Sequence, residues 1–217
     1  ERYRATYAAI VQPLGRALLD SEAVPHYDLS SLVRITCGSA ALGEALSSAL
    51  ERRLGVPIFE SYGMTEFCGA SHAQRPGDPR SSVGAALAGV EWKIVDTETG
   101  VPLPDGRDGE ICIRSPSMMT AYLRRPRETA DCLDAEGWLR SGDLGRADAE
   151  GRLTVTGRLK ELIKVGGYQV APAELEALLL THPGVAEACV IGEADGAGGE
   201  APVAYVVCKS PVSAATL

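Results

Sequence analysis

Between Leu42 and Leu54 the apolar residues Leu42, Ala45, Leu46, Ala49, Leu50 and Leu54 recur at the spacing that lines one face of an α-helix. Gly55 follows where such a helix would stop, because glycine readily takes the left-handed conformation that closes a helix. The short run Val56, Pro57, Ile58 and Phe59 then leads into the turn-like stretch SYGMTE, residues 61–66. The first third of the chain is therefore predicted to alternate helix and strand in a layered α/β unit.

Further along, the period shortens to two. Val90, Trp92 and Ile94 alternate with Glu91 and Lys93, Ile111 and Ile113 with Cys112 and Arg114, and Leu153 and Val155 with Arg152 and Thr154. This is the alternation of half-buried strands. Thr99-Gly100, Pro104-Asp105-Gly106, Glu136-Gly137 and Glu150-Gly151 supply turn chemistry between them. An antiparallel, barrel-like part over 84–157 is expected beside the α/β part at 1–83. After Gly157 a Lys-rich turn gives way to Pro172 at a first helical position, then to Leu175, Leu178 and Leu179 at helical spacing, and to the breaker Pro183-Gly184. Strands at about 185–192 and 202–208, joined by a Gly-rich loop, complete a small α+β unit; the tail SPVSAATL shows no pattern.

Composition agrees with packed cores, since 45% of the 217 residues are hydrophobic. Lys plus Arg number 21 against 29 Asp plus Glu, a formal charge of -8 without any basic run. Nucleic acid and anionic membrane are poor partners for such a chain. Cys37, Cys68, Cys112, Cys132, Cys189 and Cys208 form no C-x-x-C pair, and His26, His72 and His182 are far apart in sequence, so no zinc-type cluster is expected. Cys112 and Cys189, inside apolar runs, are expected to be buried thiols in a reduced, cytoplasmic compartment. The first twenty residues carry charges throughout and resemble neither a signal peptide nor a membrane span. The chain opens on Glu1 rather than methionine, as a piece of a longer protein would.

Candidate chemistry lies in short polar stretches: Thr65 and Glu66 in YGMTE, Asp143 in SGDLG, and Lys160 and Lys164 in GRLKELIK. Singly, each reads first as a turn or surface residue. Together with CGSAAL, VGAALAGVEWKIVD, GEICIRSPSMMTAYL, GWLRSGDLG and GRLKELIKVGGYQVAPAELE, they come in one order over nearly the whole chain. In that order they resemble the adenylate-forming superfamily, most closely its branch of 4-coumarate-CoA ligases, luciferases and fatty-acyl-CoA ligases.

The resemblance implies roles residue by residue. Gly38, Ser39 and Ala40 would contact adenine and, with Gly63, Gly69 and Ala70, floor an acyl pocket, small side chains allowing close approach. Ala41 stands where many relatives have proline. Glu60, Ser61, Tyr62, Gly63, Met64 and Thr65 would line the ATP or AMP site, Tyr62 offering an aromatic face and Thr65 a hydroxyl for phosphate. Glu66 would be the Mg2+ partner, as a hard oxygen donor bridging to ATP phosphates. Asp143, expected to lead a strand, would accept the ribose hydroxyls, and Arg158 would contact the same ribose or the phosphate.

Residues 1–157 would then belong to the large AMP-binding domain, 158–160 to a hinge centred on Lys160, and 161–217 to an incomplete lid. Rotation about the hinge would bring Lys164 to the acyl-adenylate, and Gly166 and Gly167 would border the CoA thiol arm. Relatives often carry lysine where Gly166 stands. The implied activity is ATP-dependent activation of a carboxylic acid and its transfer to CoA. A carrier-protein acceptor, or an inactive nucleotide-binding fragment, are the alternatives. Neither a phosphate-binding Gly/Ser/Thr loop nor a near-terminal lysine lies within the chain, so the isolated chain is expected not to turn over.

Overall fold

The computed structural model describes residues 2–39, 42–196, 198–209 and 212–213. Strand β1 (Tyr7–Val11) runs into helix α1 (Gln12–Asp20), whose first turn holds Pro13, and the chain returns to a parallel β2 (Arg34–Gly38). Helix α2 (Glu44–Leu54) follows and ends at Gly55 in the left-handed conformation, as its sequence predicts. It leads to β3 (Ile58–Met64), parallel to β2, and then to the antiparallel β4 (Gly69–Ala73) and β5 (Ala85–Ala86). Ile10, Ile35, Cys37 and Ile58 from the strands close on Leu42, Leu46, Leu50 and Leu54 from the helical side. Burial of each such aliphatic side chain is worth about 1.5–3 kcal/mol, which is why the helical spacing is so regular here.

The second sheet is a meander of β6 (Glu91–Val95), β7 (Gly109–Arg114), β8 (Leu139–Ala147) and β9 (Leu153–Arg158), with helix α3 (Pro126–Cys132) between β7 and β8. Every neighbouring pair is antiparallel. Four strands cannot close upon themselves with interior side chains, so the barrel-like part is an open sheet. The bridge between Ala85 and Arg152 ties its β9 side to β5 of the first sheet. Ile111, Cys112 and Ile113 in β7 are all buried, so this strand has two covered faces where alternation predicts one. Phe67, Ile94, Ile111, Ile113, Leu139 and Leu153 form the core on one side.

The carboxyl-terminal unit begins with a hairpin of β10 (Ile163–Val165) and β11 (Tyr168–Val170). Helix α4 (Pro172–Leu180) packs against β12 (Val185–Ala194), which pairs with β13 (Glu200–Cys208). Its leucines are less sheltered than their spacing predicts: Leu178 is exposed. Cys189 is exposed as well, on a two-stranded sheet with little above it, against the expectation of a buried thiol. A cleft of about 580 Å³ separates this unit from the meander, bordered by Leu144, Arg146 and Thr156 on one side and Gln169, Ala173 and Glu174 on the other. An apolar hollow of about 340 Å³ lies among Ile10, Leu18, Val24, Leu32 and Leu54. Among the described residues no helix is long and apolar enough to cross a membrane.

Candidate functional site

The two sheets meet where β3 leaves its parallel pairing and β8 passes its midpoint. Tyr62 on β3 donates its hydroxyl to Asp143 Oδ2 at 2.8 Å, although the two residues are 81 positions apart. Asp143 lies inside β8 rather than at its start and pairs across the ladder with Arg158 at the end of β9. Arg158 Nε stands 3.2 Å from Asp143 Oδ1. Because the Arg158 side chain is 66% exposed and that of Asp143 13%, the pair adds little stability; its consequence is orientation. Each carboxylate oxygen has one protein partner and retains lone-pair capacity for another hydroxyl. Burial, followed by the neighbouring Asp143 carboxylate, pushes the Tyr62 phenol well above its ordinary pKa, so the ring stays a neutral donor.

The segment holding Asp143 is braced from behind. Glu110, almost wholly buried on β7, accepts from Gly142 N at 3.1 Å and from Arg140 Nε at 2.8 Å, while Ser141 Oγ donates to Ile111 O at 2.8 Å and accepts from Asp143 N at 3.1 Å. Behind Tyr62, its cross-strand partner His72 is fully buried, edge-on to Trp92 with ring centres 4.8 Å apart. Burial pulls the His72 pKa down to about 4. Its Nδ1 is 3.1 Å from Ser71 Oγ, whereas Nε2 has no partner among the described residues.

Three residues beyond Tyr62, Thr65 to Phe67 form a 3-10 turn in which Thr65 is exposed and Phe67 is anchored in the core. Glu66 projects from this turn, and its Oε1 accepts from Tyr122 Oη at 2.6 Å. No cluster of three or more acidic, histidine or cysteine ligands exists among the described residues. Glu66 is the hard oxygen donor that this turn would offer a divalent ion.

The remaining expected site residues fall into three groups. Gly38 and Ser61 face each other across β2 and β3, a Cβ at Gly38 reaching to 3.3 Å of Ser61 Oγ, and Ser39 is an exposed residue with φ of 74°. Met64 packs against the second core, and the Glu60 side chain points inward. The Glu60 carboxylate accepts from Leu42 N at 3.1 Å, its pKa raised by burial, so it pins the return of the loop after β2 rather than facing solvent. Ala40 and Ala41 lie outside the described residues.

Gly63 sits at the irregularity in the β3–β4 register, where a Cβ would come within 2.0 Å of Gly69 O. Its missing side chain is therefore required by strand packing. Gly69 and Ala70 are exposed, and none of Gly38, Gly63, Gly69 and Ala70 lines either cleft described above.

Lys160 is exposed in a 3-10 turn two residues after Arg158. Lys164 is exposed on β10, held through its backbone N–H, which donates to Glu200 Oε2 at 2.8 Å; its ammonium has no partner among the described residues. Gly166 and Gly167, with φ of 53° and 88°, are the two central residues of the β10–β11 turn. The structure thus joins Tyr62, Asp143 and Arg158 directly, and leaves Lys160, Lys164 and the glycine pair as a separate exposed strip. Tyr122, Glu110 and His72 were not singled out from sequence; the first two lie in the stretch GEICIRSPSMMTAYL, whose motif was the available signal.

Comparison with known proteins bears on the same segments. Residues 1–123 match the AMP-binding enzyme family and residues 174–217 the AMP-binding enzyme C-terminal domain. A 4-coumarate--CoA ligase of Oryza sativa subsp. japonica is 45% identical over 215 residues, covering 95% of this chain and 38% of the relative. One from Pinus taeda is 42% identical over 220 residues, covering 98% of this chain and 41% of the relative. The chain therefore spans about two fifths of the length of these relatives. Among solved structures, o-succinylbenzoate CoA synthetase of Bacillus subtilis with an acyl-adenylate intermediate aligns at TM-score 0.85 and 35% identity, over 99% of this chain and 43% of that one. The amide bond synthetase of Marinactinospora thermotolerans aligns at TM-score 0.87 and 37% identity, over 98% of this chain and 44% of that one.

Proposed function

We propose, on the premise that the chain belongs to the AMP-binding enzyme family, that it forms part of an ATP-dependent, AMP-forming ligase joining a carboxylic acid to CoA through an acyl-adenylate. The observation that carries this is the cross-sheet contact of Tyr62, Asp143 and Arg158, which presents an aromatic ring, a carboxylate and a guanidinium from three strands at one place. Asp143 would accept the ribose diol and Arg158 the sugar or phosphate edge, while the Tyr62 ring flanks the base.

Glu66 would hold Mg2+, which supplies charge neutralisation at the triphosphate when bound. Thr65, exposed beside it, would donate its hydroxyl to a phosphate oxygen. Arg158 would counter charge developing at the α-phosphorus as the acid oxygen attacks and pyrophosphate leaves. Residues 158–160 would be the hinge of a mobile lid at 161–217, and Lys164 would enter the site for the second step, in which a thiol displaces AMP. CoA is favoured as acceptor because relatives that match 95–98% of the chain at 42–45% identity are named as CoA ligases.

Calorimetry of AMP against the chain is the direct test, with binding expected for the wild type and lost in Asp143→Ala. Equal binding by the variant would remove Asp143 from the ribose role. The complete ligase should release pyrophosphate and AMP, not ADP, when given its acid and CoA; ADP release would overturn the reaction class.

A further inference from the structure

Residues 115–122 cross over the turn that carries Glu66 and hold it by three hydrogen bonds. Ser117 Oγ donates to Phe67 O at 2.8 Å, Met119 N donates to Glu66 O at 2.7 Å, and Tyr122 Oη donates to Glu66 Oε1 at 2.6 Å. The first two fix the backbone of the turn. Only the third touches the carboxylate.

Tyr122 is itself held in place by the start of α3. Its backbone N–H donates to Thr129 Oγ1 at 3.0 Å, and that hydroxyl donates to Arg125 O at 2.7 Å. The phenol is thus delivered by a segment anchored at both ends, and a glutamate that would otherwise sample several rotamers at a half-buried surface is confined to one. A carboxylate can use one oxygen for a phenol and the other for a cation, and groups that orient a metal ligand in this way shape its affinity.

We propose that Tyr122 is a positioning residue: it fixes Oε1 of Glu66 so that the second oxygen, Oε2, is presented to the divalent cation that accompanies ATP. The proposal rests on the ligase reading above and extends it to a residue to which that reading gave no role. Its chemistry is confined to metal-nucleotide binding. AMP carries no metal bridge between distal phosphates, so its binding should not sense the loss of the phenol hydroxyl.

The test uses the complete ligase and Tyr122→Phe, which removes one oxygen and keeps the Ser117 and Met119 bonds to the turn. Mn2+·ATP binding, followed by electron paramagnetic resonance of the manganese, should weaken by about tenfold, as loss of a group orienting a metal ligand commonly does. Metal-free AMP binding by calorimetry should stay at the wild-type value. In a Glu66→Gln background, the Tyr122→Phe change should add no further loss, because the carboxylate it positions is already gone. Unchanged Mn2+·ATP affinity, an equal fall in AMP affinity, or a full additional loss in the Glu66→Gln background would each overturn the proposal. If wild-type protein binds neither ligand, the ligase reading itself fails and this inference with it, an outcome distinct from the variant-specific ones.

Discussion

The cluster around Asp143 and the strip from Lys160 to Gly167 are adjacent in sequence yet built in opposite ways. At Asp143 the carboxylate is tied to partners from β3 and β9, the adjacent Gly142 N–H donates to Glu110 on β7, and the groups behind, Glu110 and His72, are buried. Along the strip the side chains of Lys160 and Lys164 are exposed, and the hairpin is fixed mainly through backbone, including the bond from Lys164 N to Glu200. A group that binds the same ligand throughout a cycle gains from being fixed in advance, whereas one that serves a single step must be free to arrive and leave. The contrast matches the proposed division between a constant nucleotide site and a moving lid.

The largest effect that could break this comparison concerns Lys164. If the ammonium enters only for attack of the thiol, it stabilises only that transition state, and Lys164→Ala must lower one rate while leaving acid and ATP binding unchanged. Single-turnover assays of the complete ligase should show acyl-CoA formation slowed about 10²-fold, with acyl-AMP formation in the absence of CoA close to wild type. An equal fall in both steps would make Lys164 part of the constant site.

Legibility from sequence follows the same line. Local devices were readable: the apolar stripe and Gly55 of α2, Pro172 opening α4, and the paired strands that became β12 and β13. Features created by distant chain segments were not. Tyr122 acquires its role only when it meets Glu66, 56 positions away. Exposure of Cys189 is equally non-local, since apolar spacing cannot report how little packs onto a two-stranded sheet. For the site, the resemblance assigned Tyr62, Asp143 and Arg158 roles at one nucleotide, while their direct contact emerges only in the fold; for Glu60 and Gly63 the same motif concealed packing duties, pinning Leu42 and clearing the β4 backbone.

A smaller effect sharpens the buried side of the comparison. His72 has an ordinary pKa near 6.5 when unfolded and about 4 in the fold, because burial disfavours its charged form. Between those values the unfolded chain binds a proton that the folded chain refuses, so stability is intact above about pH 6.5 and falls as pH drops toward 4. The loss attributable to His72 between pH 7 and pH 5 is on the order of 2 kcal/mol. His72→Phe keeps a ring against Trp92 and should flatten that part of the profile in urea unfolding. An unaltered difference between the two pH values would place the titrating group elsewhere.

The smallest effect separates two reasons for the glycine pair. Gly166 and Gly167 have positive φ in a two-residue hairpin turn, and a Cβ at either would meet nothing within 4 Å. Space is therefore no obstacle within the chain, and any cost of a side chain is conformational. At Gly167, φ of 88° lies where L-residues are poorly accommodated, so Gly167→Ala should destabilise the hairpin by about 1 kcal/mol. At Gly166, φ of 53° is a conformation that asparagine accepts, so Gly166→Asn should melt like the wild type. That substitution keeps the turn while adding a side chain at the edge proposed to border the CoA thiol arm. In the complete ligase it should raise the KM for CoA several-fold while AMP binding at Asp143 stays unchanged. If KM for CoA does not move, the pair serves the turn alone. The thiol arm must then pass the lid at another place, and the exposed strip would owe its glycines to backbone geometry rather than to its ligand.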